Sequence, residues 1–226
     1  MYVVTHVLVF SLFPIGLALI TFDRKSSHRI KVRFAELLFR IIGKRVVVSG
    51  LDNVEQGKGY LIVANYPSFY TGFILMKLFP EASIVVHAFI SRVPVWSYFM
   101  KQLGAIFADP KGKGFRRTKL TIDRVIEKHK GNSIIILPEG QRCSDGHMQR
   151  FKRGFIYILR HSSLDLLPVT LSGFYRLKPV NRMYLDPDAE PEVIIHKPIS
   201  NSAARDMSDE ELLKMTVDVI ERLYRP

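Results

Sequence analysis

The amino-acid sequence predicts an α/β domain with a largely parallel central sheet flanked by helices. Apolar runs of strand length recur along the chain from position 45 onwards. Longer segments with apolar residues at helical spacing separate these runs. Because neighbouring parallel strands need a crossover connection, usually a helix, this alternation is typical of a parallel sheet.

The predicted strands, in chain order, are 45–49, 60–64, 83–88, 133–137 and 166–171. The predicted helices between them are 68–79, 95–103, 114–130 and 152–161. Gly131 and Asn132 follow the long third helix, as expected where a helix ends.

The last part of the chain contains two further segments of different character. Residues 174–192 show no clear period and include three prolines, which predicts an extended excursion on the surface. Ser208 and Glu211 have the spacing of a capping box and precede an amphipathic run. We therefore expect a helix that closes the domain.

Residues 1–44 are predicted to be a membrane-attachment segment, followed by the α/β domain at 45–226. The stretch 3–21 carries no formal charge and as a helix would reach about 28 Å, close to the bilayer core. Pro14 leaves a shallow insertion as an alternative to a full span. The many Lys and Arg residues that follow place the domain on the cytoplasmic face of the membrane.

Residues 30–42 repeat apolar side chains at helical spacing with Arg and Lys between them. This pattern fits a helix that lies on anionic lipid, and it fits equally a first helix that covers the core.

The charge balance points to an anionic partner. The chain has 33 Lys and Arg against 21 Asp and Glu, a formal net charge of +12. The apolar N-terminus and the absence of zinc-finger or RNP motifs favour a membrane surface, and no nucleic acid is expected as partner. The single cysteine, Cys143, excludes an intramolecular disulfide and a Cys-rich zinc site, and we expect no bound metal.

Four loops stand out as candidate ligand sites, because open α/β sheets bind their ligands at the loops that follow strands. The first is ANYPSFYTG, which ends at Gly72 and contains no acid, base or metal ligand. The second, 103–117, has glycines and basic residues before a helix and could hold a phosphate. The third, 136–146, sets a carboxylate beside an arginine, which suits a hydroxylated, phosphorylated small molecule, although a solvated turn is the alternative. The fourth, 151–154, adds positive charge.

The order and spacing of these loops resemble the glycerolipid acyltransferase family, whose members include 1-acyl-glycerol-3-phosphate acyltransferases. The shared motifs are Asn-x6-Gly, Gly-Ala-Ile-Phe-x-Asp, Pro-Glu-Gly-x-Arg-x-Ser, Phe-Lys-x-Gly and Leu-Pro-Val, over about residues 45–200. The resemblance implies transfer of an acyl chain from acyl-CoA or acyl carrier protein to a lysophospholipid or glycerol-phosphate hydroxyl in phospholipid biosynthesis, with no bound cofactor.

The resemblance also assigns roles to residues of these motifs. It places Asn65, Glu139, Gly140, Arg142 and Lys152 in the substrate-binding site. It gives Gly104, Phe107, Asp109 and Pro168 the role of shaping the motifs.

The first motif departs from the family, in which a histidine is the general base and an aspartate five residues later orients it. Tyr66 and Thr71 occupy these two positions, and tyrosine is a poor base near neutral pH. One interpretation is an enzyme with altered chemistry, in which His87 or His147 substitutes as base. The other is a catalytically inactive homologue that binds lipid or regulates an active relative.

Overall fold

The computed structural model describes residues 24–87, 92–108, 123, 126–127, 131–182 and 184–226. Its strands are β1 Val47–Ser49, β2 Tyr60–Ala64, β3 Ser83–His87, β4 Ile106–Ala108, β5 Ile134–Ile136, β6 Asp165–Ser172 and β7 Glu192–Ile195. Its helices are α1 Arg24–Ile41, α2 Tyr70–Leu78, α3 Pro94–Gln102, α4 Gly154–Arg160, α5 Phe174–Leu177, α6 Asn201–Asp206 and α7 Asp209–Glu221.

The strands form one sheet in the order β1-β7-β6-β2-β5-β3-β4. The run from β6 to β4 is parallel throughout. β7 pairs antiparallel with β6, and β1 pairs parallel with β7, so these two edge strands run in the opposite direction. The predicted α/β class with a largely parallel sheet is confirmed.

Both faces of the sheet are covered, which explains why its central strands are continuously apolar. All five residues of β2 are buried. Ile62 and Ala64 belong to the core beneath α1, α2 and α3, whereas Leu61 and Val63 belong to the core beneath α4 and α7. The alternation of side chains along β2 therefore divides one apolar run between two cores.

Helix α1 covers the first of these cores. Phe34 is 2% exposed and packs edge-to-face against Phe73, with ring centroids 5.2 Å apart. Leu37 and Ile41, in contrast, are 41% and 40% exposed. The interpretation of this helix as a core cover is thus confirmed, while its contact with lipid stays a prediction. None of the described helices is long and apolar enough to cross a bilayer.

Three predictions lie wholly or partly outside the described residues. These are the membrane segment 3–21, nearly all of the helix 114–130, and Asp109 of the second motif.

The prediction for 174–192 is wrong for much of this segment. It contains the short helix α5, whose Phe174 and Leu177 are completely buried, and Leu185 and Ala189 are buried as well. The apolar residues are spaced irregularly between prolines, so that no period in the sequence marks them. Strands β4 and β7 were also not predicted, because short strands of this kind leave little periodic signal.

The closing helix α7 begins with the predicted capping box. Ser208 Oγ accepts a hydrogen bond from Glu211 N at 3.2 Å, and Glu211 Oε2 accepts one from Ser208 N at 2.8 Å. Leu212 and Ile220 of this helix are completely buried. Beyond it, Arg225 N donates to Ser172 Oγ at 2.9 Å, which fixes the tail against the end of β6.

We expect Ser208→Ala to lower the free energy of unfolding by about 1 kcal/mol, because the backbone amide of Glu211 loses its hydrogen-bond acceptor, Ser208 Oγ. Chemical denaturation measures this change. Ser163→Ala is the control, since Ser163 is exposed and makes no side-chain hydrogen bond within the described part of the chain. An equal loss in both variants would contradict a capping role.

Candidate functional site

The loops that follow β2 and β5 meet at the carboxyl end of the sheet, because these two strands are neighbours. Tyr66 N donates to Glu139 Oε1 at 2.6 Å, and Cys143 N donates to Tyr66 O at 3.1 Å. The first and third motifs are thus joined at both backbone polar groups of Tyr66.

Glu139 is the residue that makes this junction. Its side chain is 3% exposed, and its second oxygen, Oε2, accepts from Gln149 N at 2.9 Å. Burial raises the pKa of Glu139, although the two backbone hydrogen bonds act in the opposite direction. Both carboxylate oxygens are used within the protein. Contact of Glu139 with an acceptor therefore stays a prediction, and the structure gives it a supporting role.

Asn65 has a similar supporting place. It is completely buried, its Nδ2 donates to Leu171 O at 3.0 Å, and its Oδ1 accepts from Leu171 N at 2.8 Å. The side-chain amide thus extends the pairing of β2 with β6 by one step. Ser68 Oγ donates to Lys178 O at 3.3 Å, which holds the same turn to the segment after α5.

Tyr66 and Thr71 do not form a hydrogen-bonded pair. Burial raises the pKa of Tyr66, and the nearby Arg142 cation only partly offsets this effect, so the phenol keeps its proton at neutral pH. Thr71 is completely buried, and its Oγ1 is the one buried side-chain polar atom without a partner among the described residues. The first motif therefore contains no general base of the family type.

An apolar cavity of about 390 Å³ lies beside this turn. Its wall includes Tyr66, Phe69, Phe73, Met76, Ile84, Val86, His87, Val93, Trp96, Met100, Leu137 and Gly140. His87 ends β3, which is separated from β2 by β5 alone, so that His87 and Tyr66 border one space. His147 is exposed and does not line this cavity. The structure thus brings together one of the two predicted substitute bases with Tyr66.

Two cations lie close to residues of the cavity wall, Lys152 at Gly140 and Arg142 near Tyr66. A Cβ built on Gly140, which has φ +71°, would lie 2.7 Å from Lys152 Nζ, so the ammonium of Lys152 lies directly over this glycine. Arg142 is exposed and close enough to Tyr66 to lower the pKa of its phenol. Neither cation has an ion pair or a hydrogen bond among the described residues. This arrangement suits an anion.

Sequence reasoning missed Lys178. Burial lowers the pKa of Lys178, and the Arg142 guanidinium lowers it further. The signal that could have found it is its position soon after β6, since the loops at the carboxyl ends of parallel strands form such sites. Lys178 was not considered because the segment 174–192 was predicted to be an extended surface excursion.

Three of the four residues expected to shape the motifs lie in or next to the elements that support the site. Gly104 follows α3 with φ +77°, Phe107 is in β4, and Pro168 is in β6 beside Val63 of β2. No group of His, Cys, Asp and Glu that could hold a metal ion occurs in the described part of the chain.

The sequence model of the acyltransferase family matches residues 45–172, which is more than half of the chain. The chain belongs to the acyltransferase family.

Relatives of this acyltransferase-family chain are named as 1-acyl-sn-glycerol-3-phosphate acyltransferases. The 1-acyl-sn-glycerol-3-phosphate acyltransferase BAT2, chloroplastic, of Brassica napus is 28% identical over 211 residues, covering 92% of this chain and 60% of the relative. The 1-acyl-sn-glycerol-3-phosphate acyltransferase of Pseudomonas aeruginosa is 29% identical over 143 residues, covering 61% and 53%. The chain spans less than two thirds of the length of these relatives.

The fold agrees with a solved structure. The 1-acyl-sn-glycerophosphate (LPA) acyltransferase PlsC from Thermotoga maritima superposes with a TM-score of 0.77 at 23% identity, covering 98% of this chain and 90% of the other.

We expect Glu139→Gln to lower the free energy of unfolding by about 1–3 kcal/mol. Glutamine keeps one acceptor oxygen but turns an NH₂ group towards one of the two backbone amides that Glu139 now binds. Thermal and chemical denaturation measure the change, with Asp218→Asn on the exposed face of α7 as the matched loss of one charge. A more stable variant would show that burying the charge costs more than the two hydrogen bonds contribute.

Proposed function

We propose that this protein transfers an acyl chain from acyl-CoA or acyl carrier protein to the hydroxyl of a lysophospholipid or glycerol phosphate in phospholipid biosynthesis. The observation that carries this proposal is the apolar cavity of about 390 Å³ whose wall includes Gly140, beside Lys152, a cation with no ion pair among the described residues. A ligand with a hydrocarbon chain and a phosphate matches both features. The names of the relatives support the same substrate class.

In this proposal the phosphate of the acceptor lies against Arg142 and Lys152. A guanidinium offers a planar pair of donors to phosphate oxygens, whereas an ammonium acts as a compact charge. The acyl chain extends along Phe73, Trp96 and Met100 inside the cavity. Burial of its methylene groups supplies binding free energy of about 0.8 kcal/mol for each group.

The acceptor hydroxyl must lose a proton as its oxygen attacks the thioester carbonyl carbon. We assign the proton acceptor as His87, because imidazole is the usual general base and His87 borders the same cavity as Tyr66. The new C–O bond forms as the C–S bond breaks, and the imidazolium returns its proton to the leaving thiolate. Tyr66 keeps its own proton and lines the space in which these groups meet.

We place this reaction at the cytoplasmic face of a membrane. The exposed Leu37 and Ile41 of α1 lie among arginines and lysines, a combination that binds anionic lipid surfaces. The net charge of +12 and the apolar stretch 3–21 support the same location. A lipid-soluble acceptor and product also require a site close to the bilayer.

The first motif favours a second candidate function, in which the protein binds lipid without catalysis. The pKa of Tyr66 is raised, and the buried hydroxyl of Thr71 has no hydrogen-bond partner within the described part of the chain, so these two residues do not act as a base and its orienting acid. A protein with this cavity and these cations could bind a lysophospholipid without turning it over, or regulate an active relative.

The two functions differ in product formation. Purified protein is incubated with oleoyl-CoA or oleoyl-acyl carrier protein and with 1-oleoyl-lysophosphatidate or glycerol 3-phosphate, and product is measured by mass spectrometry. We expect product, and we expect His87→Gln to lower kcat by about 10²- to 10⁴-fold, because a positioned base contributes this much. His147→Gln is the control outside the cavity.

Lipid binding is followed in parallel by the fluorescence of Trp96, the only tryptophan of the sequence, which lines the cavity. Binding without product from the unmodified protein would support the non-catalytic function. If His87→Gln forms product as fast as the unmodified protein, His87 is not the general base. Restored turnover in an inactive protein by Tyr66→His with Thr71→Asp would show that only the dyad is missing.

A further inference from the structure

The segment that follows α7 returns to the end of β6 and is fixed there. Ser172, the last residue of β6, is 3% exposed. Its hydroxyl donates to Leu223 O at 2.7 Å and accepts from Arg225 N at 2.9 Å. Gly173 N donates to Arg225 O at 2.9 Å. These hydrogen bonds hold the backbone on both sides of Tyr224 in place.

Tyr224 reaches from this segment to the third-motif loop, residues 139–149. Its hydroxyl donates to Gly146 O at 2.9 Å and lies 4.0 Å from Cys143 Sγ. Gly146 has φ +87°, and a Cβ built on it would lie 3.4 Å from Pro226 Cβ. Burial raises the pKa of Tyr224, so its phenol stays a hydrogen-bond donor at neutral pH. The segment after α7 is thus joined to a loop of the candidate site.

Arg142 depends on this loop for its position. Its side chain is exposed and makes neither an ion pair nor a hydrogen bond within the described residues. The backbone of the third-motif loop therefore decides where Arg142 lies. Glu139 joins the two ends of this loop by accepting from Gln149 N, and Tyr224 binds the loop between these ends, at Gly146.

We propose that Tyr224 is a positioning residue of the site, whose hydroxyl holds the third-motif loop in the conformation that binds the acceptor. Without this hydrogen bond, Gly146 has no side chain to restrict its backbone, and Gly140 and Arg142 move with the loop. A site that is in its binding conformation for only part of the time has a lower apparent affinity by that fraction. The inference rests on the proposed function in one respect, namely that the acceptor binds beside this loop.

The test replaces Tyr224 by phenylalanine, which removes the hydroxyl and keeps the ring. We expect Tyr224→Phe to raise the KM for 1-oleoyl-lysophosphatidate about fivefold, the loss typical of one hydrogen bond between uncharged groups. We expect kcat and the KM for oleoyl-CoA to change by less than about twofold, because Phe73, Trp96 and Met100, along which the acyl chain is proposed to lie, do not belong to this loop.

Cys143 reports the position of the loop independently of activity. It is the only cysteine of the sequence, and it is 1% exposed, so dithiobis(nitrobenzoate) reaches its thiol only when the loop opens. We expect Tyr224→Phe to speed this labelling about fivefold. Lysophosphatidate should slow labelling because it binds the closed loop, whereas 1-oleoylglycerol, which has the same acyl chain and no phosphate, should not.

Tyr184→Phe is the matched control, because it removes one phenol hydroxyl from an exposed side chain. Tyr184 is 55% exposed, and its hydroxyl makes no hydrogen bond within the described part of the chain. We expect this variant to keep both KM values, kcat and the labelling rate within about twofold of those of the unmodified protein.

Other outcomes overturn the inference in distinguishable ways. Faster labelling of Tyr224→Phe with unchanged kinetic constants, or equal losses for both substrates, would assign Tyr224 a structural role only. Unchanged labelling and an unchanged KM for lysophosphatidate would overturn the inference while the proposed function stands. If the unmodified protein neither acylates lysophosphatidate nor is protected by it from labelling, the proposed function and this inference both fail.

Discussion

The hydrogen bond from Tyr66 N to the buried carboxylate of Glu139 is the interaction on which the site depends. It joins the turn after β2 to the loop after β5, and the second carboxylate oxygen holds that loop at Gln149. A buried carboxylate is costly unless its oxygens are bonded, and here both are. Arg142 and Gly140 are placed by this loop. The Glu139 side chain therefore determines where the loop with Arg142 lies relative to the cavity.

The central architecture follows from local patterns in the sequence. The apolar runs at β2, β5 and β6 are buried on both faces, which makes them continuous and easy to recognise. The capping box of α7 is equally local. Strands β4 and β7 and helix α5 depend on their neighbours instead, because short elements are held by pairing and packing contacts that no window of sequence contains.

The candidate site could be predicted in its parts but not in its geometry. The motif spacing identified Glu139, Gly140 and Arg142 as neighbours, and the strand order explains why Tyr66 joins them. The motif spacing could not show that the side chains of Asn65 and Glu139 form hydrogen bonds with backbone groups of the protein. Nor could the motif spacing show that His87 borders the cavity while His147 does not, since that distinction depends on the order of the strands in the folded sheet.

The sheet order has a consequence for how the protein folds. β5 lies between β2 and β3, although both are synthesised well before it, so these two strands cannot pair with each other in the native sheet. Until residues 134–136 arrive, an apolar slot stays open between them and nothing aligns Tyr66 with His87. The wall of the cavity is therefore completed late, and pairings so distant in sequence make folding slow. During synthesis this slot exposes unpaired apolar strand edges, which are prone to aggregation.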